Sequence, residues 1–350
     1  MRKALTGKLI ILLPVLALFA MSFVGCGVQN PPPASETTSQ SAEPSPDFPQ
    51  DFLQEDESDL PIVYMTADIS PEGLAAAYRA LDVEPVGKVA VKISTGEPPN
   101  SNYLRPELIK DLVQLLNGTI VECNTAYGSS RSSNAKHLQV AEDHGFTAIA
   151  DFDLQDADGE ISIPVNGGEV LTENFVGKTF PDYDYYVVLS HFKGHGMAGY
   201  GGAIKNISIG IASASGKSWI HTGGKRKSGL SGNQDTFLES MAEAGKSVID
   251  YMDGNLLYIN VMNRLSVDCD CNGNPAEPDM HDIGILASLD PVAIDQACLD
   301  LVYAAEDGQA LIKRVESKNG VHTIEHAEKV GIGRRKYTLV SLDGLDGLDG

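Results

Sequence analysis

From about residue 60 onward, apolar and β-branched residues come in short runs, separated by stretches in which apolar residues recur at helical intervals. The runs at 62–66, 88–93, 119–123 and 148–151 predict strands, and the stretches at 71–81, 106–116 and 133–144 predict helices. Pro71 and Pro106 fall at helix starts, where a missing N–H costs nothing. Further on, alternation around Asn166-Gly167-Gly168 predicts a β-hairpin over 161–170. Residues 185–189, 256–262 and 283–288 predict buried strands, and 236–252 and 291–304 predict helices, with Asp290 as a capping residue for Pro291. Strands alternating with helices imply an α/β fold, a mainly parallel sheet with helices on both faces, built as one body or as two α/β lobes with a site between them.

The first sixty residues follow different rules. Arg2, Lys3 and Lys8 precede an apolar stretch from Leu9 to Val24, the pattern of an export signal over residues 1–25. Phe23-Val24-Gly25-Cys26 resembles the lipobox of bacterial lipoproteins, which implies lipidation of Cys26 and attachment to the extracytoplasmic side of the cell membrane. Residues 26–60 are rich in Pro, Ser, Thr and acidic side chains without apolar periodicity, and are expected to be a disordered tether. The folded domain is expected over 61–342, and the repeated Leu-Asp-Gly ending at residue 350 is too short for a solenoid and reads as a disordered tail from 343.

The formal charge of −22 lacks the basic footprint of a nucleic-acid-binding protein, so no nucleic-acid partner is expected. Past Cys26 the cysteines are Cys123, Cys269, Cys271 and Cys298, too few for a disulfide framework. Cys123 and Cys298 fall in a predicted strand and helix and read as core. If 268–271 is extended, Cys269 and Cys271 share one face. With His281 they form a candidate site for a divalent transition metal, with nickel, zinc and iron all open.

Chemistry concentrates after the strand at 185–189, in SHFKGHGMAGYGGAIKNISIG. Glycine at this density permits tight turns and close backbone approach to a ligand. His191, His195 and Lys205, with His221 downstream, are the candidates for proton transfer and binding, and Gly199, Gly201 and Gly202 for backbone contact with a small anion. Lys92, Arg105 and Arg131, in or near loops after earlier strands, are candidate anion-binding cations.

Three segments resemble, in order, the bacterial family of domain of unknown function 362. They are VKISTGE with YLRP, SHFKGHGMAGYGGAIKN, and DCDC followed by DIGILASLDPVAIDQACLDLV. The closest branch carries iron–sulfur centres, often in a ferredoxin module inserted after the glycine-rich loop. Residues 216–233 stand there instead and contain no cysteine, so no ferredoxin-type 4Fe-4S cluster is implied. His195, Ala198-Gly199-Tyr200, Gly202, Lys205 and His221 also resemble the spacing in nickel-pincer lactate racemases. That resemblance implies a covalent cofactor on Lys205, nickel on His221 and acid–base work by His195. The loop at 124–131, where those racemases place another histidine, has none.

Two functions stay open on this reading. One is a catalytic site for a small anionic molecule; the other is a non-catalytic metal-binding or redox-partner protein using Cys269 and Cys271. The anchoring expectation is checked directly: membrane-associated protein carries lipid on Cys26, and Cys26→Ser abolishes labelling by a radioactive or clickable fatty acid. An unlipidated chain beginning at Met1 is the contrary result.

Overall fold

The computed structural model describes residues 59–344, so the signal, Cys26, most of the tether and residues 345–350 lie outside it. Its centre is β7 (Tyr185–His191), every residue of which is buried. Strand periodicity sends Tyr186 and Val188 to one face and Tyr185, Val187 and Leu189 to the other. On the first face they meet α6 (Gln234–Tyr251), α7 (Pro291–Ala304) and α9 (His322–Lys329) through Val248, Val292 and Ile324. On the second they meet α1 (Pro71–Ala80) and α2 (Pro106–Leu115) through Leu74, Ala77, Leu112 and Val113. A strand covered on both faces must be apolar throughout, and this one nearly is.

Beside β7 lie β2 (Val89–Lys92) and β10 (Leu256–Met262), both parallel to it. The eight-stranded sheet continues outward from β2 through β3 (Thr119–Glu122) to β4 (Phe152–Leu154), again parallel. On the other side β11 (Gly284–Ser288) is antiparallel to both β10 and β1 (Ile62–Thr66), and β12 (Thr338–Ser341) closes the edge parallel to β1. One continuous sheet leaves no place for two lobes. The parallel block β10-β7-β2-β3 puts its carboxyl ends side by side, the usual place for a ligand in open α/β sheets. Among the described residues no helix is long and apolar enough to cross a membrane.

Three local expectations are corrected. The strand predicted at 148–151 starts later, at Phe152, because Gly145 at φ 86° ends the preceding helix, α3 (Asn134–Asp143), and a short 3-10 turn follows, with Phe146 wholly buried. The hairpin exists as β5 (Glu160–Pro164) against β6 (Glu173–Gly177), but its connection runs from 165 to 172 instead of turning tightly at Asn166-Gly167. The cause is Glu243 on α6, whose carboxylate accepts from the N–H groups of Glu169, Val170 and Leu171 at 2.7–3.1 Å and holds the loop down. At the far end, Asp343 is ordered: its carboxylate accepts from Thr66 Oγ1 at 2.6 Å and Ala67 N at 3.0 Å.

The glycine-rich loop folds as a small ribbon, β8 (Lys193–His195) against β9 (Gly199–Gly201). It leads into a short helix, α4 (Ala203–Lys205), and a π-helical turn at Asn206–Gly210. A chain with so many glycines does not hold a helix start by propensity. Asp295, on α7, anchors it instead, accepting from Ala203 N at 2.7 Å, Ile204 N at 3.1 Å and Asn260 Nδ2 at 2.8 Å. A Cβ on Gly202 would lie 2.3 Å from the same carboxylate oxygen.

Asp295→Ala therefore strands two backbone donors and one amide in the core, and is expected to lower unfolding free energy by about 3 kcal/mol in urea titrations. Gly202→Ala displaces that carboxylate and is expected to be destabilising as well, and the double variant should cost clearly less than the two single effects added. Full additivity would show that glycine 202 and Asp295 act independently.

Candidate functional site

The carboxyl ends of β2, β3 and β7 open into a cavity of about 350 Å³. Four lysines line it, and they differ in how their charge is met. Lys193 is paired, with Nζ 2.9 Å from Asp270 and donating to His191 O at 2.6 Å. Burial pulls its pKa down, but Asp270 and the neighbouring thiols outweigh that and leave it raised. Lys92, at the end of β2, is 2 % exposed and donates only to neutral acceptors, Ile93 O at 2.5 Å and Asn206 Oδ1 at 3.1 Å. Its pKa falls to about 8, chiefly through burial, with Glu122 opposing and Lys217 adding to the fall. Lys217 lies on α5 (Ala214–His221) and donates to Ala212 O at 2.5 Å and Cys123 O at 3.5 Å; burial lowers its pKa as well. Lys205 makes no side-chain hydrogen bond or ion pair among the described residues.

Carboxylates near the cavity are already committed. Glu122 Oε2 takes His137 Nε2 at 2.5 Å and Thr95 Oγ1 at 2.8 Å, while Oε1 takes Thr95 N at 3.0 Å and lies 3.5 Å from Arg131 Nη1. Despite its burial, the contacts with His137, Arg131 and Lys92 hold its carboxyl well below the usual range. Arg131 is shared between Glu122 and Glu97, so it lines the cavity as a neutralised cation.

Hydrogen bonding sorts the three histidines at the cavity by tautomer. His221 Nδ1 faces the carbonyl of Lys217 at 2.6 Å and must donate, which leaves Nε2 as a lone pair with no hydrogen-bond partner among the described residues. Its ring stacks on Phe237 at 4.4 Å, and burial lowers its pKa to about 3. His195 is the opposite case. Its Nδ1 accepts from Met197 N at 3.2 Å and Ala198 N at 2.9 Å, so the proton sits on Nε2, 3.8 Å from Cys271 Sγ. Burial and then Lys205 lower its pKa. His191 has acceptors at both nitrogens, Asp270 Oδ1 at 2.8 Å and Asn263 O at 2.6 Å, and offers no lone pair to a ligand.

Cys269 and Cys271 are not on a strand. The segment turns, with Asn272 N donating to Cys269 O at 2.9 Å, yet both thiols reach the cavity. The pair shares a proton, with Cys271 donating to Cys269; that bond, with Lys205 and His195 near it, favours thiolate on Cys269 and thiol on Cys271. His195, Cys269 and Cys271 place one ligand atom each within 4.8 Å of one another, a group able to hold a metal ion. Cys123 also lines the cavity, but burial pushes its pKa up to about 12 and it donates to Ile211 O, which makes it inert.

Three candidates turn away. His281 is exposed and bonded to Asp307 at 2.7 Å rather than joining the cysteines, because the turn at 269–272 ends any extended register between them. Arg105 precedes α2 and lies over the ring of Tyr103, 4.6 Å from its centroid, outside the cavity lining. Gly199, at φ 83°, is required for packing: a Cβ there would lie 2.9 Å from Gly320 Cα. Gly201 and Gly202 do line the cavity. Unforeseen contributors are Lys193, Lys217, Glu122, His137, Asn206 and Asp270. Lys217 was visible in principle, since it precedes His221 by one helical turn and shares its face.

The fold is that of an α/β protein with a cavity at the carboxyl edge of its sheet. The chain belongs to the family described as domain of unknown function (DUF362), whose model matches residues 89–300. Among solved structures it is similar to the lactate racemase apoprotein from Thermoanaerobacterium thermosaccharolyticum, at 17% identity and a TM-score of 0.36, over 57% of this chain and 50% of that one. It is also similar to a protein from Thermotoga maritima, at 12% identity and a TM-score of 0.36, over 74% of this chain and 58% of that one. The chain thus spans about half the length of these structures. No curated protein matches it.

Lys92 generates a pH prediction. Its folded pKa of about 8 lies below the unfolded value of 10.5, so between them the unfolded chain binds more protons and stability rises with pH. Compared with Lys92→Met, the unmodified protein is expected to gain about 2 to 3 kcal/mol of unfolding free energy between about pH 7 and about pH 10 in urea titrations. Parallel pH dependence of the two chains would mean that the lysine charge is already compensated.

Proposed function

We propose that this is an exported, lipid-anchored protein whose cavity binds a small anionic molecule beside a divalent transition metal and carries out racemase- or isomerase-like proton transfer on it. The observation that carries the reading is the presence, in one cavity, of His221 with a free Nε2 and His195 with a protonated one. A histidine whose Nδ1–H is tied to a backbone carbonyl, leaving Nε2 basic, has the outer-shell support typical of metal ligands. His221 fits that requirement. Imidazole suits nickel, zinc and iron, and a metal bound there would supply Lewis acidity toward an oxygen of the ligand.

The remaining roles follow from hydrogen-bond direction. With Nδ1 occupied by two backbone donors, His195 is a poor base, and its Nε2–H serves as an electrophile toward an oxygen on which charge develops. This replaces the acid–base role that the sequence resemblance implied. Lys205, with no side-chain partner among the described residues, is the group free to move the proton. The export signal and Cys26 support the location.

A second reading has its own support, the proximity of His195, Cys269 and Cys271. In that case the protein is a non-catalytic metal-binding or redox-partner protein. Ligation by His195 Nε2, however, requires the ring to release both backbone bonds. Elemental analysis of anaerobically purified variants separates the two. His221→Ala is expected to lower bound metal to less than about a tenth while Cys269→Ser with Cys271→Ser retains it. The reverse result supports the thiol site, and absence of metal from all of them rejects both metal readings.

A further inference from the structure

We propose that Lys92 and Lys217 form an oxyanion cradle on the floor of the cavity, which takes the carboxylate or phosphate group of the bound molecule. This deepens the reading above by assigning the anionic end of the ligand to two particular side chains, and it rests on that reading only in taking the cavity as the place where a ligand binds.

The two lysines reach the same cavity from different elements. Lys92 ends β2 opposite Val121 of β3, and Lys217 extends from α5 to the carbonyl of Cys123, the first residue after β3. Both line the cavity and are 2 % and 8 % exposed. Each ammonium has three hydrogens. For each, the two protein acceptors are neutral oxygens, leaving one hydrogen uncommitted, and neither forms an ion pair within 4.0 Å among the described residues. Glu122, the acid beside them, has both oxygens occupied by Thr95, His137 and Arg131. Glu122 acts on both ammoniums, and Asp156 on Lys217, but neither carboxylate is in ion-pair contact with them; burial still lowers both pKa values, and an oxyanion between the two lysines would supply a direct counter-charge.

The backbone is shaped to admit them. A Cβ on Gly210 would lie 2.6 Å from Asn206 Oδ1 and 2.9 Å from Lys92 Nζ, so a larger residue at the end of the π-helical turn would shift both side chains. Asn206 fixes the approach, accepting from Lys92 Nζ while its amide donates to Lys92 O at 3.2 Å and Leu189 O at 3.3 Å. The cradle is therefore held open by contacts that do not involve a ligand.

Isothermal titration of the full chain with acetate and with inorganic phosphate, in chloride-free buffer, tests the assignment. Saturable binding of one of them is expected, weakened about tenfold or more in Lys92→Met and in Lys217→Met. Preference for acetate identifies a carboxylate ligand and preference for phosphate a phosphorylated one. As a check that does not depend on variants, 15Nζ signals of two lysines in the unmodified protein should move on adding the bound anion. Binding of neither anion, affinity in both variants unchanged from that of the unmodified protein, or binding with no lysine signal shifted overturns the cradle. Metal content measured on the same samples reports separately on His221, so the cradle can stand when the metal reading fails, and the reverse.

Discussion

Burying a lysine ammonium without a carboxylate beside it costs several kcal/mol, and a protein that can pair such a charge generally does. This chain carries a formal charge of −22, so acidic side chains are not scarce. Yet at the carboxyl edge of its sheet Lys92 and Lys217 are buried on neutral oxygens, and Lys205 lines the same cavity without a side-chain hydrogen bond or ion pair among the described residues. Elsewhere in the same cavity the rule is kept: Lys193 has Asp270, and Arg131 has Glu97 and Glu122. The contrast within one cavity separates cations that hold the structure from cations left for something else. The surrounding architecture can be read as the means of keeping that imbalance in place.

Direction of hydrogen bonding does similar work for the imidazoles. A carbonyl can only accept and a backbone N–H can only donate, so one contact to the main chain decides which ring nitrogen remains available. His221 gains a free Nε2 because its helix offers the carbonyl of Lys217 one turn back. His195 loses its Nδ1 because the β8–β9 ribbon aims two amides at it. His191 is held at both ends and steadies the Asp270–Lys193 pair. Three residues of one type therefore occupy three chemical states in one cavity, and none of these assignments depends on knowing a ligand.

Much of the architecture was legible in the chain because it rests on local periodicity. Strands 62–66 and 256–262 and helix 291–304 coincide with the expected bounds, and the glycine-rich loop does follow a buried strand. Lys92, His195, Lys205 and His221, each singled out from residue type and setting, do line one cavity. What stayed hidden depends on partners far away in sequence. That Glu122 is committed to His137, that Asp270 claims His191 and Lys193, and that Glu243 opens the 165–172 connection cannot be read from spacing. Cys269 and Cys271 do face one cavity, but through a turn and not through the extended backbone on which the expectation was built. Arg105 and His281 were plausible by residue type alone, and type says nothing about direction.

The joint between the glycine-rich loop and the sheet ties these strands of argument together. Asp295 reaches from α7 to hold the start of the helical segment, and its burial raises its own pKa to about 6. Three residues after Ala203 the π-helical turn begins, and its first residue, Asn206, bonds to the ends of both β2 and β7. Lys205 lies between these two anchors, so its side chain projects into the cavity from a backbone fixed on either side. π-turns widen a helix and redirect side chains at some cost in hydrogen-bond geometry, and they recur at functional sites for that reason. Lys205 and Asn206 themselves keep helical backbone angles, with Asn206 N donating to Gly202 O at 3.0 Å, so as neighbours on a helix they point in different directions: Asn206 reaches the sheet while Lys205 faces the cavity.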